Sequence, residues 1–125
     1  MAFKKTFLFS AFALVSMIAL LYGLNPSWFA KTLLGGADVN INFEHILRAV
    51  MCLYLAFAVF WLFCALTGRH IDLAILTIAV FAGGLFIGRL LSFALDGMPS
   101  PLLIFYAALE VVIVPVSVWL YRHPD

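Results

Sequence analysis

Asn40-Ile41-Asn42-Phe43-Glu44-His45-Ile46-Leu47-Arg48 brings three ionisable side chains into five residues, and the chain then runs without another charge through Leu66. A hydrocarbon core of ~30 Å takes ~20 helical residues to cross, and the apolar run is long enough to do so. The stretch therefore predicts a membrane-crossing helix over about 43–66 that carries charge into its opening turns. Charged groups entering an apolar segment require partners, and two later candidates stand out, Arg89 and Glu110.

Composition supports the same solvent. The chain has 125 residues, of which 66% are hydrophobic and only 10% charged, with a mean hydropathy of +1.17, far from soluble globular proteins. A net charge of +1 supplies no clustered basic face for nucleic acid. Cys52 and Cys64 fall in one predicted helix about twelve residues and ~18 Å apart, too far to bridge each other, so each is expected as a small packing residue.

Three further apolar segments lie at about 6–24, 73–95 and 102–121. Backbone amides in lipid must be satisfied within the structure, and these segments lack the polar alternation of a barrel strand. The expected fold is an all-α membrane protein, one four-transmembrane-helix bundle over 1–125. Lys4 and Lys5 ahead of the first apolar run imitate a signal peptide. That run is long for one and ends at Asn25-Pro26 without a small-residue cleavage site, so a retained first helix is expected. After it, Trp28 and Phe29 suit the membrane interface, and Lys31, Gly35, Gly36 and Asp38 read as part of a loop of about sixteen residues. Lys4, Lys5, Arg69 and Arg122 gather at one end of such a bundle, while Lys31 is the only loop cation at the other. By the positive-inside rule both termini are cytoplasmic and the Asn40 stretch faces outward.

On a helical wheel the second segment places Glu44, His45, Arg48, Ala49, Cys52, Leu55, Ala56 and Val59 in one arc, with Ile46, Val50, Leu53, Tyr54, Phe57 and Trp61 opposite. The charged and small arc is expected to face the bundle and the bulky arc the lipid. In the third segment, Gly84 and Gly88, extended by Thr77 and Ser92, predict close helix packing inside the bundle, with a dimer interface as the alternative. In the fourth, Glu110 shares a face with Tyr106, Ala107 and Ser117, while Phe105, Val112 and Trp119 point away, and Pro115 removes one backbone bond beyond the acid.

A lone charge near the bilayer centre costs ~2.5–3.5 kcal/mol on insertion scales, so the acids and guanidinium groups are expected to converge. The expected binding pocket comprises Glu44, His45, Arg48, Arg89, Asp96, Tyr106 and Glu110 in the outer half of the bilayer. Glu44, Asp96 and Glu110 against Arg48 and Arg89 leave one negative charge with His45 neutral. Balance then requires a protonated His45 or Glu110, or a bound cation or amine. Structural alternatives stand beside each: Glu110 locked to an arginine as a register device, and His45 as an interfacial residue.

No metal or cofactor is expected. Glu44 and His45 are adjacent and so ~100° apart on a helix, without the i,i+4 spacing that converges two ligands on one metal. His70 and His123 belong to the opposite end from His45, which disfavours paired haem ligation. Nucleophile, phosphate-loop and dinucleotide motifs are missing, and an enzyme is not expected.

Gly23-Leu24-Asn25-Pro26-Ser27-Trp28, Asn42-Phe43-Glu44-His45-Ile46-Leu47-Arg48, the segment from Gly84 to Arg89, and Asp96-Gly97-Met98-Pro99-Ser100-Pro101 together resemble an uncharacterised bacterial family of four-helix integral membrane proteins, a domain of unknown function distantly similar to DoxX-like proteins. The likeness covers nearly the whole chain and implies a multi-pass protein of the bacterial inner (plasma) membrane. It brings no established activity. DoxX-like relatives are linked to quinone-dependent redox complexes or accessory roles, and no redox motif accompanies that link here.

Three functions follow as expectations. The first is a non-enzymatic membrane protein whose pocket binds a small ligand, a lipid head group or a partner. The second is a proton-coupled transporter acting as a homodimer, similar in size to small multidrug exporters, although those carry their essential acid in a first helix that here has none. The third is an accessory or assembly subunit of a larger membrane complex. The partners implied are the bilayer, a small-molecule or lipid ligand, and a second copy or membrane partner protein.

Overall fold

The structure, a computed structural model, describes residues 2–35 and 40–123. Five helices occur among them: α1 (Ala2–Gly23), α2 (Pro26–Leu33), α3 (Ile41–Thr67), α4 (Ile71–Asp96) and α5 (Pro101–Arg122). The four long ones, α1, α3, α4 and α5, each have the length and apolar character to cross a membrane.

Short polar signals set the breaks. Asn25 ends α1 and starts α2, its side chain accepting the Trp28 backbone N–H at 3.1 Å while Pro26 occupies the first helical turn. Residues 26–33, expected as loop, are therefore a two-turn helix: a break residue that also caps restarts the helix it interrupts. Gly36 and Asp38 lie outside the described residues. Asn40 caps α3 by accepting from Phe43 N–H at 2.9 Å. At the far end Gly68 takes the left-handed conformation (φ 70°) and its N–H closes on Cys64 O at 2.9 Å, a glycine stop that needs no Cβ.

The long helices alternate in direction. One core cluster joins Leu8 of α1 to Trp61 and Cys64 of α3, Ile71 and Ile75 of α4, and Leu120 of α5; the other joins Ala19 and Tyr22 to Leu47, Tyr54 and Tyr106. The first combines the start of α1 with the end of α3, which is possible only for antiparallel neighbours. α2 lies over the second cluster, its buried Phe29 meeting the Tyr22 ring edge-on at 4.9 Å.

The bundle is two tight pairs rather than four equivalent helices. α1 packs extensively on α3 and α4 on α5; the pairs meet lightly, and α1 barely approaches α5. Gly23 admits the first close contact, since a Cβ there would sit 2.5 Å from Met51 Cβ. The pairs are joined by aromatic rings: Phe81 of α4 lies 4.9 Å from Tyr54, 5.2 Å from Phe57 and 5.6 Å from Trp61. Trp61 Nε1 also donates to Thr77 Oγ1 at 3.0 Å, satisfying an indole N–H that lipid could not.

Two facial expectations are overturned in part. Tyr54 and Trp61 are buried, whereas His45, Arg48, Ala49, Cys52, Ala56 and Val59 are exposed, so the rings of α3 face inward and the charged and small arc outward; Ile46 and Leu53 of the bulky arc are exposed, as expected. Lipid is as apolar as leucine and does not drive large apolar groups inward. The loose seam between the two pairs is filled by rings, and small side chains would leave it void. Arg48, about 10 Å along α3 from its start, is also long enough to carry its guanidinium toward the interface. In α4, nothing lies within 4 Å of a Cβ built at Gly84 or Gly88, and Ser92 is exposed, so that part of the strip faces out of the bundle, while Thr77 faces Trp61 within it.

A charged pair and an apolar slot form the candidate functional site

α4 and α5 bring Arg89 and Glu110 together. Arg89 Nε donates to Glu110 Oε1 at 2.9 Å and to Oε2 at 3.1 Å, with the two side chains 17% and 8% exposed. The guanidinium is thus the more accessible half of the pair. The Tyr106 ring, one turn before Glu110 on α5, lies 5.6 Å from the guanidinium carbon, within cation–π range. Tyr22 faces the same guanidinium, and its ring packs edge-on against Tyr54 at 5.7 Å and Tyr106 at 6.1 Å. Three of the chain's four tyrosines therefore surround one ion pair.

This polar group closes one end of an apolar cavity of about 140 Å³ lying between the two helix pairs. Leu14, Val15 and Ile18 of α1 face Leu109 and Ile113 of α5 across it, and Trp61 lines it further along. Because α1 and α5 hardly touch, the cavity is a slot with a side opening: Leu14, Ile18, Leu109 and Ile113 on its lips are only half-buried. Tyr106, 5% exposed, lines the slot, and its hydroxyl is buried without a hydrogen-bond partner. A phenol O–H shut away from both water and protein acceptors is uncommon in native interiors.

The other expected site residues lie elsewhere. Glu44 is half-buried, and His45 and Arg48 are exposed on the outward arc of α3; among the described residues no hydrogen bond or ion pair links them to Arg89 or Glu110. Asp96, at the end of α4, is exposed and accepts from Ser92 Oγ at 2.6 Å. The expected meeting of five charged groups thus reduces to one pair. Arg89 and Glu110 sum to zero, and the excess negative charge that called for a cation or amine is not present in the buried set.

Three polar features were not anticipated. Tyr22 and Tyr54 join the site, and their signal is the recurrence of polar-tipped aromatics within otherwise apolar segments. At the opposite end of the bundle, Lys4 Nζ donates to Asp72 Oδ1 at 2.7 Å, tying the start of α1 to the start of α4. The Trp61–Thr77 bond is the third. Among the described residues no group of His, Cys, Asp and Glu could hold a metal.

No curated protein and no solved structure matches the chain significantly. A family model described as a domain of unknown function, DUF4345, matches residues 3–121, from the first turn of α1 to the last turn of α5. With its four helices long and apolar enough to cross a membrane, the chain belongs to this family.

Proposed function

We propose that the protein is a membrane-embedded binding protein rather than an enzyme, and that it holds a small hydrophobic molecule in the slot between α1 and α5 with the polar end at Arg89, Glu110 and Tyr106. The observation that carries this reading is the Tyr106 hydroxyl, buried without a partner in the wall of a cavity. An unsatisfied buried hydroxyl costs about 1–3 kcal/mol, a penalty that a bound acceptor removes. The concave, mostly apolar lining with a few convergent polar groups is the usual form of a small-molecule site. Lys4, Lys5, Arg69 and Arg122 gather at the far end of the bundle, so in this reading the termini are cytoplasmic and the pair sits in the outer half of a bacterial inner membrane.

Native mass spectrometry of protein extracted directly from its membrane tests the proposal. A co-purifying hydrophobic molecule is expected on the wild type and is expected to be depleted on Ile18→Trp, which fills the slot. Equal occupancy of both proteins, or none on either, would defeat it.

A further inference from the structure

The hydrogen-bonding balance of the site narrows the ligand, an inference that rests on the slot being a binding site. Arg89 spends only Nε on Glu110, and its terminal amino groups, four N–H donors in a planar fork, make no hydrogen bond with the carboxylate; the Tyr22 hydroxyl faces the guanidinium and engages part of that fork, which leaves the remaining N–H groups as donors. Tyr106 adds a further donor without a partner. Glu110 already accepts on both oxygens and is the less accessible member of the pair. The polar end of the slot therefore presents unfilled donors in excess of unfilled acceptors.

Charge narrows it again. The pair is neutral as it stands, so an anionic head would leave one uncompensated negative charge in low dielectric, and an ammonium head would meet the guanidinium first. Size narrows it once more. A dry cavity of ~150 Å³ accommodates a benzene-sized molecule, about six heavy atoms, so 140 Å³ admits a polar head with its first few chain carbons and no more. The remainder of the chain passes through the gap between α1 and α5 into the bilayer.

We infer that the slot takes a single-chain lipid with an uncharged carbonyl head, such as an ester, ketone or amide. The molecule enters sideways from the membrane, its carbonyl oxygen is received by the Arg89 fork and the Tyr106 hydroxyl, and its first carbons lie between Ile18 and Leu109. Apolar transfer from lipid to slot contributes little, so the head group decides selection.

Photolabelling in nanodiscs of defined phospholipid tests this with a long-chain methyl ester carrying a diazirine near the fifth carbon. Label is expected on both lips of the slot, in residues 14–22 of α1 and 106–113 of α5. Excess unlabelled ester is expected to compete, and an alkylamine, a fatty acid or an alkane of equal length is not. Tyr106→Phe, which keeps the ring and removes only an unpaired hydroxyl, is expected to weaken competition about five- to tenfold, the equivalent of one hydrogen bond. A thermal midpoint within a few degrees of wild type verifies its fold, and Ile18→Trp is the second variant, expected to abolish slot labelling. Competition by the amine or the fatty acid equal to that by the ester would overturn the carbonyl class and leave the slot standing as a site. Label spread evenly over lipid-facing positions such as Phe105 and Val112, with none concentrated in the slot, would overturn both.

Discussion

Arg89 grips Glu110 through a single nitrogen: both hydrogen bonds to the carboxylate, at 2.9 and 3.1 Å, start from Nε. This side-on pairing satisfies the acid and leaves the terminal amino groups off the carboxylate, and it ties α4 to α5 where both side chains are largely buried. Removing one partner leaves the other buried and unpaired. Arg89→Ala or Glu110→Ala is therefore expected to destabilise the folded bundle by about 3–5 kcal/mol, whereas Arg89→Met with Glu110→Leu is expected to stay within about 1 kcal/mol of wild type. Reversible unfolding in mixed micelles measures the cycle. Additive single effects would mean that the two charges do not depend on each other.

The indole–hydroxyl bond between Trp61 and Thr77 is the polar tie between α3 and α4, two helices that otherwise meet lightly. Thr77 Oγ1 also donates to Ala74 O at 2.6 Å, which fixes the hydroxyl as the acceptor for Trp61. Thr77→Val keeps the shape and orphans the indole N–H, so a loss of about 1 kcal/mol is expected, near the values typical of interhelical bonds in membranes. Thr77→Ser is expected to recover most of it. An unchanged midpoint for Thr77→Val would show that the indole finds another acceptor.

How much of this was legible in the chain differs between elements for physical reasons. Span length and apolarity are properties of single segments, so the four crossings follow directly from runs such as the one after Arg48. The inward face of α5 was readable as well, because Glu110, Tyr106 and Ser117 share an arc and a carboxylate in mid-span has nowhere else to go. On α3 the same logic pointed the wrong way. Glu44, His45 and Arg48 stand within the first turns, near enough to the interface to be solvated from the outer arc, so their charge did not fix the facing. What fixed it was the volume of Tyr54, Phe57 and Trp61 against Phe81, a relation between two helices that no single-helix wheel contains. The slot itself is invisible in sequence for a similar reason: it is the space left where α1 and α5 fail to meet.

Lys4 is buried while its partner Asp72 is 61% exposed, so the two halves of this pair are unequal. Water screens the carboxylate but not the ammonium. Asp72→Asn retains an acceptor for Lys4 and loses only a solvated charge, and a loss of no more than about 1 kcal/mol is expected. Lys4→Leu removes the buried cation outright and fills the same space with apolar groups, for which a neutral or slightly stabilising outcome is expected. Thermal midpoints of the two variants in one detergent separate the cases, and a large loss from Asp72→Asn would mark the pair as a principal clamp between α1 and α4.

Glycines on α1 and α4 look alike in sequence and differ in what they touch. At Gly23 an added Cβ would lie 2.5 Å from Met51 Cβ and 2.6 Å from its sulfur, so α1 and α3 would have to move apart. Gly23→Ala is expected to destabilise by about 1–3 kcal/mol, as overpacking does. At Gly84 and Gly88 the added methyl meets nothing within 4 Å, and replacing a mid-helix glycine by alanine removes its backbone entropy penalty. Gly84→Ala and Gly88→Ala are therefore expected to be neutral or to stabilise the isolated chain by up to about 1 kcal/mol each. Steric trapping in bicelles reads both signs in one assay. If both α4 substitutions weaken the folded state, the strip is occupied by another helix, because the chain itself leaves room for the methyl groups.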